Sequence, residues 1–135
     1  MEPAGVTTLY LLCGKIAAGK STLARRLAAR PATLVIIQDH WMSNLFPTEV
    51  RTIDNFARYS ARLRAAIGPH IVDILRQGLS VVLDFPANTV TYRKWMRSLI
   101  TQADVAHELH LWISRTRSAS RGFGNEMRMA NIRTR

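Results

Sequence analysis

A chain of 135 residues and 15.2 kDa, 47% hydrophobic, can bury one core and excludes two independent domains. Its formal charge of +10 raises nucleic acid or another acidic surface as a partner, yet residues 112–135 alone carry +5, six arginines against one acid, Glu126. The single cysteine, Cys13, excludes an internal disulfide, the four histidines lack a zinc spacing, and the N-terminal residues hold no signal or spanning pattern, so a cytoplasmic chain without membrane association is expected.

In chain order, TTLYLLCG (7–14) is an apolar run ending in glycine, the pattern of a strand covered on both faces. Leu23, Ala24, Leu27 and Ala28 then recur at helical spacing until Pro31 stops the pattern. TLVIIQD (33–39) predicts a second buried strand ending in an acid. Ile53, Phe56, Leu63 and Ile67 share one helical face, and Gly68 with Pro69 predicts a break before another helix over 69–77, closed by Gly78. LSVVLDF (79–85) predicts a third buried strand. After the turn residues PANT, Tyr92, Trp95, Met96, Leu99 and Ile100 form an amphipathic helix, and DVAHELHLWI (104–113) a fourth strand, on which His107 and His110 point to opposite faces.

Strands alternating with helices predict an α/β fold, a parallel sheet of about four strands with helices on both faces. Ligands bind such sheets at the carboxyl ends of the strands, where Gly14, Asp39 and Asp84 all fall. There is no internal repeat, heptad run or low-complexity linker.

GKIAAGKS matches G-x-x-x-x-G-K-[ST], a P-loop (Walker A) in which backbone N–H groups and the start of the next helix wrap phosphates. Gly14, Lys15, Ile16, Ala17, Ala18, Gly19, Lys20, Ser21 and Thr22 are the candidate nucleotide-binding residues, with Lys20 reaching the β- and γ-phosphates and Ser21 ligating Mg²⁺. Asp39 and Asp84 are each candidates for a catalytic role or for capping the helix that follows. Phosphoryl transfer needs an acid near the metal, a role that suits Asp84, and one that accepts a proton from the attacking hydroxyl, which suits Asp39; the two could be exchanged. Arg51, Arg58 and Arg62 share a predicted helix face, with Tyr59 at its edge, and read as a solvated basic face or a hold for an anionic substrate.

GKIAAGKSTLARRLA, IIQDHW and VVLDFPANT followed by TYRKWMRSLI resemble the small P-loop kinases related to zeta toxins and chloramphenicol phosphotransferase, whose bacterial members of unassigned substrate are labelled ATP-binding or AAA-family proteins. The resemblance covers about residues 6 to 111. It implies an ATP- and Mg²⁺-dependent phosphotransferase fold in which Gly14 to Thr22 bind ATP, Lys20 and Asp39 are catalytic, and Ser21 and Asp84 lie on the metal side. Neither LSGGQ nor NKxD is present.

Beyond His110 the sequence departs from that family, which continues into an arginine-bearing lid helix, a fifth strand and a closing helix. LWISRTRSASRGFGNEMRMANIRTR lacks hydrophobic periodicity and predicts an irregular basic tail over 112–135, leaving an incomplete domain over 1–111 with an exposed edge beside the fourth strand. Codons for LWISRTRSAS such as CTC TGG ATA TCT CGG ACG AGG TCT GCC TCG, with one C restored after CTC and the series continued, read LLDISDEVCLARLRQRNADGEHPY. That is a strand ending in an acid, followed by an amphipathic helix with lid-type arginines. The tail is therefore expected to be out of frame, and the chain to bind ATP weakly and to transfer phosphate slowly or not at all. Three function classes follow: an ATP-dependent kinase for a hydroxyl of a small molecule, a nucleotide-binding or ATPase module without acceptor, and a nucleic-acid binder of polynucleotide 5′-kinase type, which only the tail's charge favours.

Overall fold

The computed structural model describes residues 5–14, 18–85, 89–115 and 126–134. Strand β1 (Thr8–Gly14) leads to helix α1 (Ala18–Ala28), then β2 (Thr33–Ile37), α2 (Gln38–Leu45), α3 (Ile53–Arg76), β3 (Ser80–Asp84), α4 (Val90–Ala103), β4 (Ala106–Arg115) and β5 (Glu126–Thr134). The sheet order is β2-β3-β1-β4-β5. The first four strands are parallel, with Leu9 beside both Val81 and His107, so β1 is central.

The order explains the layers. From β1 the chain steps over β3 to β2, then returns through β3 to β4, so right-handed crossovers put α1 on one face and α3 with α4 on the other. Tyr10, Leu12 and Val82 meet Ala24 and Leu27 on the α1 face. Leu9, Leu11, Val81 and Leu83 meet Leu63, Ile67, Ile71, Met96 and Leu99 on the other, where the larger core forms. His107 and His110 lie beside Leu9 and Leu12 respectively, hence on opposite faces as expected. Among the described residues no helix is long and apolar enough to cross a membrane, and no cluster of His, Cys, Asp or Glu could hold a metal.

Four expectations are corrected. The second strand ends at Ile37, and Gln38 and Asp39 open α2 instead. It is also an edge strand with Leu34, Val35 and Ile37 exposed, because β3 inserts between it and β1. The Gly68–Pro69 break does not occur, and α3 runs unbroken through Pro69. A proline inside a helix costs about 3 kcal/mol. That cost is offset by the continuous buried stripe Leu63, Ile67, Ile71, Val72 and Leu75, while Gly68 admits α4 so closely that an added Cβ would stand 3.1 Å from Trp95 Nε1. Ile53, expected on the buried face, is the first residue of α3 and is exposed.

The fourth correction concerns the tail. Residues 116–125 and 135 lie outside those described, but 112–115 extend β4 and 126–134 form β5, antiparallel to β4 with Arg133 opposite Glu108 and Ile132 opposite Leu109. An open strand edge is a template for pairing, and here the chain's own tail covers it. No helix follows β4 among the described residues.

Candidate active site

Gly14 ends β1 with φ of 116°, a conformation that side chains disfavour, and so turns the chain out of the sheet. Lys15, Ile16 and Ala17 lie outside the described residues; α1 begins at Ala18, which puts Gly19, Lys20 and Ser21 in its first turn, where backbone N–H groups have no partner in the helix. Ser21 is exposed and Thr22 half-buried. Lys20 instead folds inward, 5% exposed, donating to the Gly14 carbonyl at 3.0 Å and meeting Asp84 Oδ1 at 2.6 Å.

Asp84 is the last residue of β3, beside Leu12 of β1 and Ile37 of β2. Phe85, fully buried, anchors the strand end against Trp95 with ring centroids 5.1 Å apart. Pro86, Ala87 and Asn88 lie outside the described residues, and Thr89 caps α4 by accepting from Tyr92 N. Asp84 is therefore not the cap of the following helix. Nor is Asp39: the α2 cap position is Ile37, and Asp39 stands exposed in the first helical turn. The structure thus brings Gly14, Lys20 and Asp84 together at the carboxyl ends of β1 and β3, with Ser21 next to Lys20 in the first turn of α1 and Asp39 just past the neighbouring β2.

Cys13 is buried beneath this ion pair. Burial pushes its thiol up to about 12, with Lys20 pulling down and Asp84 pushing up by less. The thiol is therefore neutral at ordinary pH. Iodoacetamide at pH 8 should leave the folded chain unmodified while labelling it in urea; a folded-state rate within about tenfold of the unfolded one would contradict this.

Arg51, Arg58 and Arg62 are all exposed; Arg51 precedes α3 and donates to the Thr48 carbonyl, and Arg62 lies over Tyr59. Arg58 and Arg62 lie on exposed positions of α3, and Arg51, outside the helix, does not share a helix face with them as the sequence predicts. The buried polar group that sequence reasoning passed over lies on the opposite side of the same helix. Arg64, 8% exposed, sits 4.2 Å from the Tyr92 ring centroid, and Tyr92 Oη donates to Oε1 of Gln38, which is fully buried beside Asp39. One signal was available: Arg64 follows Ser60 by four and precedes Ile71 by seven, on the face that packs inward.

The family model described as AAA domain matches residues 9–122. No curated protein matches. A chain of the Pnkp1/Rnl/Hen1 complex superposes with a TM-score of 0.62 at 17% identity, over 78% of this chain and 35% of that one. A protein from Chloroflexus aurantiacus described as a candidate kinase superposes at 0.58 with 21% identity, over 77% and 58%. A chain of the Pnkp1/Rnl/Hen1 RNA repair complex gives 0.51 at 16% identity, over 78% and 33%. The chain thus spans less than two thirds of the length of each. At these identities the likeness is one of fold, that of P-loop kinases.

Proposed function

The chain belongs to the AAA domain family and is a small P-loop kinase-like protein; from that premise we propose an ATP-dependent phosphotransferase that acts on a hydroxyl of a small molecule. The observation that carries the reading is the buried Lys20–Asp84 pair, 2.6 Å long, at the junction of β1, β3 and the first turn of α1. A lysine is seldom buried for stability alone, since desolvation consumes most of what its ion pair contributes. One held folded against a phosphate loop is stored where an anion can take over its partner.

The donor set fits ATP and Mg²⁺. Phosphates suit the backbone N–H groups of Gly14 to Thr22 and the Lys20 ammonium. The Ser21 hydroxyl and the Asp84 carboxylate are the hard oxygen donors that Mg²⁺ prefers. When bound, the metal neutralises charge on the transferring phosphoryl group. Lys20 then exchanges Asp84 for phosphate oxygens and orients them, which frees the Asp84 carboxylate.

Asp39 is the proposed base. Its exposed carboxylate in the first turn of α2 can accept the proton of an incoming hydroxyl. Asp39→Asn keeps the shape and removes the acceptor, so phosphate transfer should fall by about 10² to 10⁴ while ATP affinity is retained. Comparing ATP consumption with and without candidate acceptors checks this. Transfer unaffected by the substitution would move the base to Asp84, and hydrolysis that no acceptor stimulates would favour an ATPase module instead.

A further inference from the structure

Lys20 has a carboxylate; Arg64, also buried, has none among the described residues. Arg64 offers five N–H donors. Ser60 Oγ accepts from one of its terminal nitrogens at 3.3 Å, the Tyr92 ring lies under the guanidinium, and among the described residues no acid pairs with it. A buried charge left so is costly. Gln38 repeats the imbalance: Oε1 accepts from Tyr92 Oη at 3.1 Å, while Nε2, sealed from solvent, has no hydrogen-bond partner among the described residues. Tyr92 joins the two donors, touching Arg64 through its ring and Gln38 through its hydroxyl.

Three elements therefore converge on one unsatisfied set: α2 through Gln38, α3 through Arg64 and Ser60, and α4 through Tyr92. The set is rich in donors and poor in acceptors, which is the complement of an oxyanion. Gln38 is the immediate neighbour of Asp39, so an anion held here lies on the acceptor side of the site, not in the phosphate loop.

Resting on the phosphotransferase reading, we infer that the acceptor is an anionic small molecule, bearing a carboxylate or phosphate beside its hydroxyl, and that Arg64, Tyr92 and Gln38 form the subsite that reads that anion. Arg64 binds it in the manner of a planar fork, Tyr92 fixes the plane of the fork by stacking, and Gln38 Nε2 supplies a further donor.

Isothermal titration of inorganic phosphate and, separately, of acetate into the full chain held in Mg²⁺ and a non-hydrolysable ATP analogue is the test. A saturable site for at least one of these anions is expected, weakened about tenfold or more in Arg64→Met, with the affinity for the analogue unchanged. Binding of phosphate alone points to a phosphorylated acceptor and binding of acetate alone to a carboxylated one; both support the subsite. Arg64→Lys keeps the charge without the fork, should fall between the two, and replaces the methionine variant if that one does not fold. Equal anion affinity in all three proteins, or no saturable site, overturns the inference. Should the analogue itself not bind, the phosphotransferase reading fails separately, and titration of phosphate into Lys20→Ala without nucleotide decides the subsite. Binding kept in Lys20→Ala and lost in Arg64→Met supports it, while the reverse pattern overturns it.

Discussion

Lys20→Met is expected to lower ATP affinity about a hundredfold, because it removes the charge-assisted hydrogen bonds that a buried ammonium makes to phosphate oxygens. It should also destabilise the chain without nucleotide. Asp84 keeps a side chain 18% exposed, so the carboxylate left behind is partly hydrated, and the loss should fall near the low end for a broken buried pair, about 3 kcal/mol. The two effects separate in Lys20→Met with Asp84→Asn. Neutralising the orphaned acid should recover most of the stability and none of the affinity. Urea denaturation and nucleotide titration on the unsubstituted chain and the two variants check both effects. A single variant that binds ATP normally would remove the lysine from the phosphate site; a double variant no more stable than the single would mean that the pair is not what the core supports.

Restoring one base after codon 111 is expected to raise phosphate transfer about a thousandfold or more, since in this class cationic groups of the lid meet the charge developing on the γ-phosphate. The chain as it stands has basic residues in its tail, but those at 128 and 133 sit on a strand, β5, that runs along β4. Transfer rates of the two gene products, measured at equal concentration with the same acceptor, give the comparison. Thermal melting adds a second readout, sharper in the restored chain, whose last strand and closing helix would cover apolar surface. Genomic DNA across codons 111 to 118 that lacks the LLDISDEV continuation, or a restored product no faster than the present chain, ends the out-of-frame reading.

Legibility in the sequence followed the range of the forces involved. The strand from Thr8 to Gly14, its glycine end and the helix from Ala18 are specified by side chains a few positions apart: apolar runs, a backbone angle that suits glycine and helical periodicity. The acids at 39 and 84 were visible as polar residues ending apolar runs. Two elements were misread where propensity met a distant partner. Pro69 predicts a helix end, yet the gain from packing α3 along α4 and the sheet exceeds the cost of one missing hydrogen bond. QD predicts a strand end, yet the last β2 position is Ile37, because Gln38 turns inward to the Tyr92 hydroxyl. Arg64 was hidden for a similar reason. Read along the chain it is one arginine among several on a basic helix, and only the approach of α4 distinguishes it from Arg58 and Arg62, which remain in solvent.

Local chain chemistry thus dictates the phosphate loop, the alternation of strands and helices, and which residue types stand at strand ends, since each depends on neighbours within about a turn of helix or a few strand positions. Packing between segments far apart in sequence sets the rest. It makes β2 an edge strand, closes the edge of β4 with the tail, joins Lys20 to Asp84 across 64 positions, and brings Arg64 and Gln38 onto one tyrosine. These outcomes rest on burial and on charge compensation in a low dielectric, which act only once the chain has closed and cannot be summed from residues taken in order.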